Sequence, residues 1–407
     1  MRKTDGRRRS AVGLAAVLFL FTACATTKPY APPVHTPPFD RALWAILVED
    51  DDGTALYELN ADKLMIPASN RKLFAAATIA TCLGPTAQLH TDVFRDGEDL
   101  IVKGDGDPSL GSWRYFREGD FDRLAEMLRA SGVTTIRDLV VDVSAFDRVL
   151  FPGGWKLGNI GSDYSAPVDA ITWGENEIAN DRAVEDPALH AGTVLREALD
   201  LRGIAVANVR VNTEPRTWSG KIASIPSPFI AHLLQAVLEN SQNLYTEMLL
   251  KRSSGGTYDA SFALERALLV NEVRVPRDSF RFVDGSGLAP DNLVTARASV
   301  RLLRWMNDPA RRAFWWPLLA QPNHEGTLRR RLVTLEERMR GKTGTINGVN
   351  ALSGIIAMPD GRFRYFSIMV NHHIGDGGEA VRIIDEIVMW AATTTIAKPA
   401  DRRRPAG

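Results

Sequence analysis

A chain of 407 residues with 45% hydrophobic content is long enough to bury more than one core, so two or more domains are expected. Its 49 Lys and Arg balance 49 Asp and Glu, and no long basic stretch is interleaved with aromatics, which argues against nucleic acid as a partner. The terminal Asp401-Arg402-Arg403-Arg404, within residues 396–407, reads as a solvated basic tail and not as a binding patch.

Residues 1–24 read as a targeting segment. Arg2, Lys3 and Arg7 to Arg9 precede an apolar run from Ala11 to Phe21 that is too short to span a bilayer. The ending Phe21-Thr22-Ala23-Cys24 resembles a bacterial lipobox, which implies that Cys24 is diacylated and becomes the first residue of the mature protein. Ordinary cleavage near Ala23 or Ala25 is the alternative. With Cys24 lipidated, only Cys82 remains, and its apolar neighbours place it inside a buried helix as a small hydrophobe. Residues 25–38, with five prolines between Lys28 and Pro38, then read as an extended tether.

The folded chain opens with alternating Leu43 to Val48, a turn at Asp50 to Gly53, and a second strand through Tyr57 and Leu59. The acidic turn does not match the spacing of a calcium loop. This hairpin leads into Pro67-Ala68-Ser69-Asn70-Arg71-Lys72-Leu73-Phe74 and the run Ala75 to Leu83, a helix apolar all round and stopped by Gly84. Its polar start is the exception. Ser69 and Lys72, three residues apart, share a helix face, so an amine base stands beside a hydroxyl nucleophile. The free N–H groups of the first turn favour negative charge developing on an attacked carbonyl oxygen.

Between residues 86 and 224 the pattern is that of an inserted α/β module. Strands are expected at Leu89 to Phe94, Leu100 to Val102 and Leu139 to Val143, and helices at Phe121 to Ala130 and His190 to Leu201. The aspartates of Gly104-Asp105-Gly106-Asp107-Pro108 suit Asx turns better than a metal. Helical spacing follows at Phe229 to Glu239, Leu244 to Lys251 and Ala260 to Val270, and Thr295 caps a helix reaching about Asn307. Three antiparallel strands are expected at Lys342 to Thr345, Leu352 to Met358 and Phe363 to His372, and Ala380 to Ala392 closes the chain as a helix. Residues 39–85 and 225–395 therefore form one discontinuous α+β domain. His372-His373 lacks a third ligand at a recognisable spacing, so neither a metal nor a cofactor is expected.

Ser69-x-x-Lys72, Ser241-x-Asn243 and Lys342-Thr343-Gly344, each occurring once and in that order, form the signature set of penicillin-binding proteins and serine β-lactamases. Together with Gly104 to Pro108, Asp284-Gly285-Ser286-Gly287-Leu288, Ser241 to Glu247 and Lys342 through Gly354, the chain resembles type-4 penicillin-binding proteins, the S13 D-alanyl-D-alanine carboxypeptidases. Gln242 stands where that family usually has Asp, which bears on substrate preference and not on the reaction. The resemblance implies a penicillin-binding, β-lactamase-like transpeptidase fold with an antiparallel sheet and helices. It implies stem peptides of peptidoglycan ending in D-Ala-D-Ala as substrates, β-lactam antibiotics as ligands, and an envelope location, to which the lipobox-like ending at Cys24 adds a lipid anchor in the membrane.

It also implies roles. Ser69 is the nucleophile, Lys72 the base, Ser241 a proton relay and Asn243 a holder of the peptide. Lys342, Thr343, Gly344 and Thr345 line the subsite for a terminal carboxylate, and the N–H groups of Ser69 and Thr345 form the oxyanion hole. Lys72 must be neutral to act, yet an ordinary lysine lies about 3.4 pH units above neutrality, a deficit of roughly 4.6 kcal/mol. Burial, the helix N-terminus and the cation Lys342 are expected to lower it. A β-lactamase and a non-catalytic envelope-binding lipoprotein are the competing readings.

Overall fold

The computed structural model describes residues 30–394. The targeting segment with Cys24, the start of the tether and the basic tail lie outside these residues.

Ten strands are named here: β1 (Leu43–Glu49), β2 (Ala55–Leu59), β3 (His90–Asp96), β4 (Asp99–Lys103), β5 (Thr135–Asp142), β6 (Ala205–Asn212), β7 (Lys221–Pro226), β8 (Met339–Ile346), β9 (Val349–Ala357) and β10 (Phe363–Asn371). Eight helices accompany them: α1 (Arg71–Leu83), α2 (Asp120–Ala130), α3 (Pro187–Asp200), α4 (Ile230–Leu238), α5 (Asn243–Arg252), α6 (Tyr258–Asn271), α7 (Ala296–Met306) and α8 (Gly377–Thr393).

The first sheet runs β8-β9-β10-β1-β2 and is antiparallel throughout, so strands from both ends of the sequence meet where β1 pairs with β10. The period of two along each strand decides which core a side chain joins. Ala45, Leu47, Tyr365 and Met369 point into a cluster shared with α1 and with α4 to α7, whereas Ile46, Val48, Phe366, Ile368 and Val370 point to the opposite face, covered by α8. Helices on both faces make this a three-layer α+β fold.

The second sheet, β6-β5-β4-β3-β7, is built wholly from residues 90–226. Its β4-β5 and β5-β6 pairs are parallel and its outer pairs on β3 antiparallel. The parallel pairs need crossovers, supplied by α2 and α3. Asp186 starts α3 by accepting the Leu189 N–H at 3.0 Å, with Pro187 at the first helical position.

Two expectations are corrected. Cys82 is exposed on the last turn of α1, because burial along that helix is continuous only as far as Ala80. The proline-rich stretch is not free to Pro38: Pro33–His35 form a 3-10 turn, and Val34, only 1% exposed, packs into the α8 side of the core with Phe39. Strands β6 and β7 carried no sequence expectation.

Candidate active site

A 3-10 turn, Ala68–Asn70, runs directly into α1. Ala68 holds φ +47°, a left-handed conformation that costs a non-glycine residue free energy, and it turns Ser69 out at the mouth of the helix. One helical step on, Lys72 Nζ stands 3.0 Å from Ser69 Oγ. Two other oxygens reach the same nitrogen: Asn243 Oδ1 at 2.5 Å and the Ser286 carbonyl at 2.7 Å. A neutral amine has two N–H groups and one lone pair. The amide and peptide oxygens can only accept, so they take both N–H groups, and the lone pair is left for the Ser69 hydroxyl.

Burial pushes Lys72 down to about 7, against the pull of Asp284 and Glu247, which act to raise it. Arg71 helps to lower it, and the expected repulsion between Lys72 and Lys342 shows at Lys342, whose amine Lys72 pushes down. Arg71 also ties α1 to the Asp284 loop. Its Nε donates to the Asp284 carbonyl at 2.9 Å, its two terminal nitrogens pair with Glu265 at 2.7 Å each, and its guanidinium lies 3.8 Å from the Phe282 ring centroid. The Asp284 carboxylate accepts the N–H groups of Gly287 and Ala289 together with Asn292 Nδ2 and Trp155 Nε1, which folds the loop tightly enough to offer the Ser286 carbonyl inward.

Ser241, at φ +67°, precedes α5 and accepts from Lys342 Nζ at 2.9 Å. Lys342 also donates to the Thr343 carbonyl at 3.0 Å. It is fully buried, and burial together with Lys72 drives its amine well below the ordinary lysine value. Asn243 begins α5, and its Nδ2 donates to the Tyr164 carbonyl at 2.7 Å, which orients Oδ1 toward Lys72. Strand β8 is the sheet edge. Gly341 donates outward to the Ala320 carbonyl, so the alternation along the strand sends the Thr343 and Thr345 N–H groups to that same open side.

These parts surround a cavity of about 430 Å³. Ser69, Asn243, Leu288 and Thr345 line one side, while Lys156, Asn159 and Tyr164 reach in from the segment between β5 and β6. Lys72 and Lys342 lie fully buried, and Ser241 is half-buried. Sequence reasoning gave no role to Glu247, whose signals were its place at the end of the family-like segment Ser241 to Glu247 and its position four residues after Asn243 on one helix. Nothing in spacing marked Lys156 or Asn159, which flank and end a short 3-10 turn, Leu157–Asn159.

A serine–lysine pair at a helix start, a second serine and asparagine before another helix, and a lysine on a sheet edge stand together on a fold of the penicillin-binding class. The family model of the D-Ala-D-Ala carboxypeptidase 3 (S13) family matches residues 32–182 and 174–394, and the chain belongs to that family of hydrolases. It is 28% identical to a D-alanyl-D-alanine carboxypeptidase of an Actinomadura species, over 86% of this chain and 81% of the relative. It is 27% identical to a carboxypeptidase of Mycobacterium tuberculosis, over 84% of this chain and 79% of the relative. Among solved structures, penicillin binding protein 4 from Haemophilus influenzae superposes with a TM-score of 0.77 at 18% identity, covering 86% of this chain and 96% of that one. A predatory endopeptidase from Bdellovibrio bacteriovorus, solved acylated by penicillin G with an immunity protein, gives a TM-score of 0.59 at 16% identity, covering 86% and 93%.

Proposed function

We propose that the protein is a serine-type D-Ala-D-Ala carboxypeptidase or endopeptidase that works on peptidoglycan stem peptides through an acyl-enzyme at Ser69. Lys72 takes the Ser69 proton as Oγ bonds to the scissile carbonyl carbon. The N–H groups of Ser69 and Thr345 hold the resulting oxyanion. Ser241 passes a proton to the leaving amine, the C–N bond breaks, and D-alanine departs. Asn243 holds the peptide, and Thr343, Gly344 and Thr345 bind it along β8, with Lys342 directed at its terminal carboxylate. Water then attacks the ester, with Lys72 and Ser241 again handling the proton, because no Asp or Glu lines the cavity among the described residues. A β-lactam enters the same step at its strained amide.

The observation that carries this reading is the arrangement of acceptors around Lys72 Nζ, which leaves its lone pair for Ser69. The test is intact-protein mass spectrometry after mixing with benzylpenicillin, then with a pentapeptide ending in D-Ala-D-Ala. A stable adduct of one penicillin at Ser69 and release of one alanine are expected. Fast turnover of the adduct points to a β-lactamase, and no adduct at all to a non-catalytic binding protein.

Residues 39–85 with 225–395 are read as the catalytic domain and 86–224 as an insertion, supported by a second sheet whose strands all fall within 90–226. Among the described residues no helix is long and apolar enough to cross a membrane. Attachment to the periplasmic face of a membrane through a lipid at Cys24 is supported by the lipobox-like ending Phe21-Thr22-Ala23-Cys24.

A further inference from the structure

Helix α5 holds Lys72 twice. Asn243 does so directly, and four residues on, along the same helix face, Glu247 does so through a loop. Glu247 is fully buried. Its Oε1 accepts the N–H groups of Gly285 at 3.0 Å and Ser286 at 2.7 Å, and its Oε2 accepts the Gly285 N–H at 2.8 Å. A β-carbon on Gly285 would stand 3.0 Å from Oε2, so glycine permits this approach. The next peptide group carries the Ser286 carbonyl that accepts from Nζ, and its own N–H, on Gly287, donates to Asp284 Oδ1 at 2.8 Å.

We propose that Glu247 is a positioning residue for the Lys72 base, its carboxylate fastening the Gly285 and Ser286 N–H groups so that the Ser286 carbonyl stays on Nζ and the lone pair stays on Ser69. The proposal rests on the reading of Lys72 as the base. A buried carboxylate is a costly means of holding two backbone amides, and a neutral amide would do it worse. In glutamine the oxygen can replace Oε1, but the NH₂ then meets the Gly285 N–H, donor against donor.

The charge also acts on the base. Burial first, then Asp284, push Glu247 up to about 7, while its hydrogen bonds to Ser286 and Gly285 hold it down. The ionisable groups that feel it are Lys72 on α1, Tyr258 on α6 and Lys251 on its own helix, with Asp284 in the loop. Because Glu247 raises Lys72, its neutralisation lets Lys72 lose its proton at a lower pH.

The experiment is the rate constant for acylation by benzylpenicillin against pH, in the full chain, for wild type, Glu247→Gln and Glu247→Asp, each normalised to the fraction of sites that label at long times. Glu247→Gln is expected to acylate at least tenfold more slowly on its plateau, with the acid limb moved down by roughly two pH units, the size of a carboxylate's influence at several ångströms and an effective dielectric of about 20. Glu247→Asp, which keeps the charge but shortens the reach, is expected to be slower with the limb in place. A wild-type plateau rate in folded Glu247→Gln overturns the proposal, and so does a slower plateau whose limb stays put, since mere damage to the fold lowers the labelled fraction without moving a pKa. Should Glu247→Gln not fold, a wild-type rate in Glu247→Asp overturns it instead. A wild type with no acid limb near neutrality defeats the Lys72 reading itself, a result distinct from either.

Discussion

Gly344 and Ser69 touch backbone to backbone: a β-carbon on Gly344 would lie 3.1 Å from the Ser69 nitrogen and 2.7 Å from the Pro67 carbonyl oxygen. The edge strand β8 can therefore lie against the Ala68–Asn70 turn only where it has no side chain. That approach sets the separation between the Ser69 N–H and the outward N–H of Thr345. Gly344→Ala is expected to push β8 away, at a cost of about 1–3 kcal/mol in stability. Acylation by benzylpenicillin should fall by about 10² to 10³, the usual loss when an oxyanion donor is misplaced. Stopped-flow acylation beside thermal unfolding separates the two effects, and a variant that acylates at the wild-type rate removes the oxyanion-hole assignment.

The pH dependence of the wild type follows from Lys72. The base works only when deprotonated, and its amine is pushed down to about 7 by burial. Acylation should therefore rise with pH through about 7 and level off above it, falling tenfold per unit on the acid side. Ser69→Ala should abolish covalent labelling at every pH while the protein stays folded. A profile still climbing past pH 9 would show that Lys72 keeps an ordinary lysine's proton.

Much of this was legible beforehand, for identifiable reasons. Strands β1, β9 and β10 are long and apolar on both faces, and the three signature motifs have fixed short spacings that survive any choice of loop. Strands β6 and β7 escaped because they are largely exposed, so no apolar run or clean alternation marks them. Cys82 misled because an apolar run says nothing about where tertiary cover ends, and α1 loses its cover at Thr81. Val34 misled because proline density signals extended backbone but not whether a valine within it finds a core. At the site, Arg71 also acts on Lys72, and its pairing with Glu265 spans 194 residues that no local pattern connects.

Lipidation gives a prediction independent of the catalytic site. If Cys24 carries the anchor, the mature protein should partition into the detergent phase, and Cys24→Ala should move it to the aqueous phase with acylation by penicillin unchanged. Mass spectrometry that finds an unmodified mature N-terminus at another residue refutes the anchor.

Lys342 allows two mechanisms to be told apart. It is fully buried, its Nζ is held by Ser241 Oγ and the Thr343 carbonyl, and its amine is driven well below the usual lysine value first by burial and then by Lys72. A substrate carboxylate arriving nearby would restore its charge, which makes the ion pair strongest when substrate is bound. If Lys342 serves that carboxylate, Lys342→Ala should cut cleavage of a D-Ala-D-Ala peptide by about 10² to 10³, whereas a peptide amidated at the same carboxylate is already poor and loses little more. If it acts instead by lowering the proton affinity of Lys72, both peptides should fall together and the pH optimum should move upward. Comparing the two peptides on both enzymes is a double-mutant cycle with one change in the ligand, so general damage cancels and the pairing remains. A loss below tenfold on both peptides would leave Lys342 with neither role and would take the Lys-Thr-Gly strand out of the substrate site.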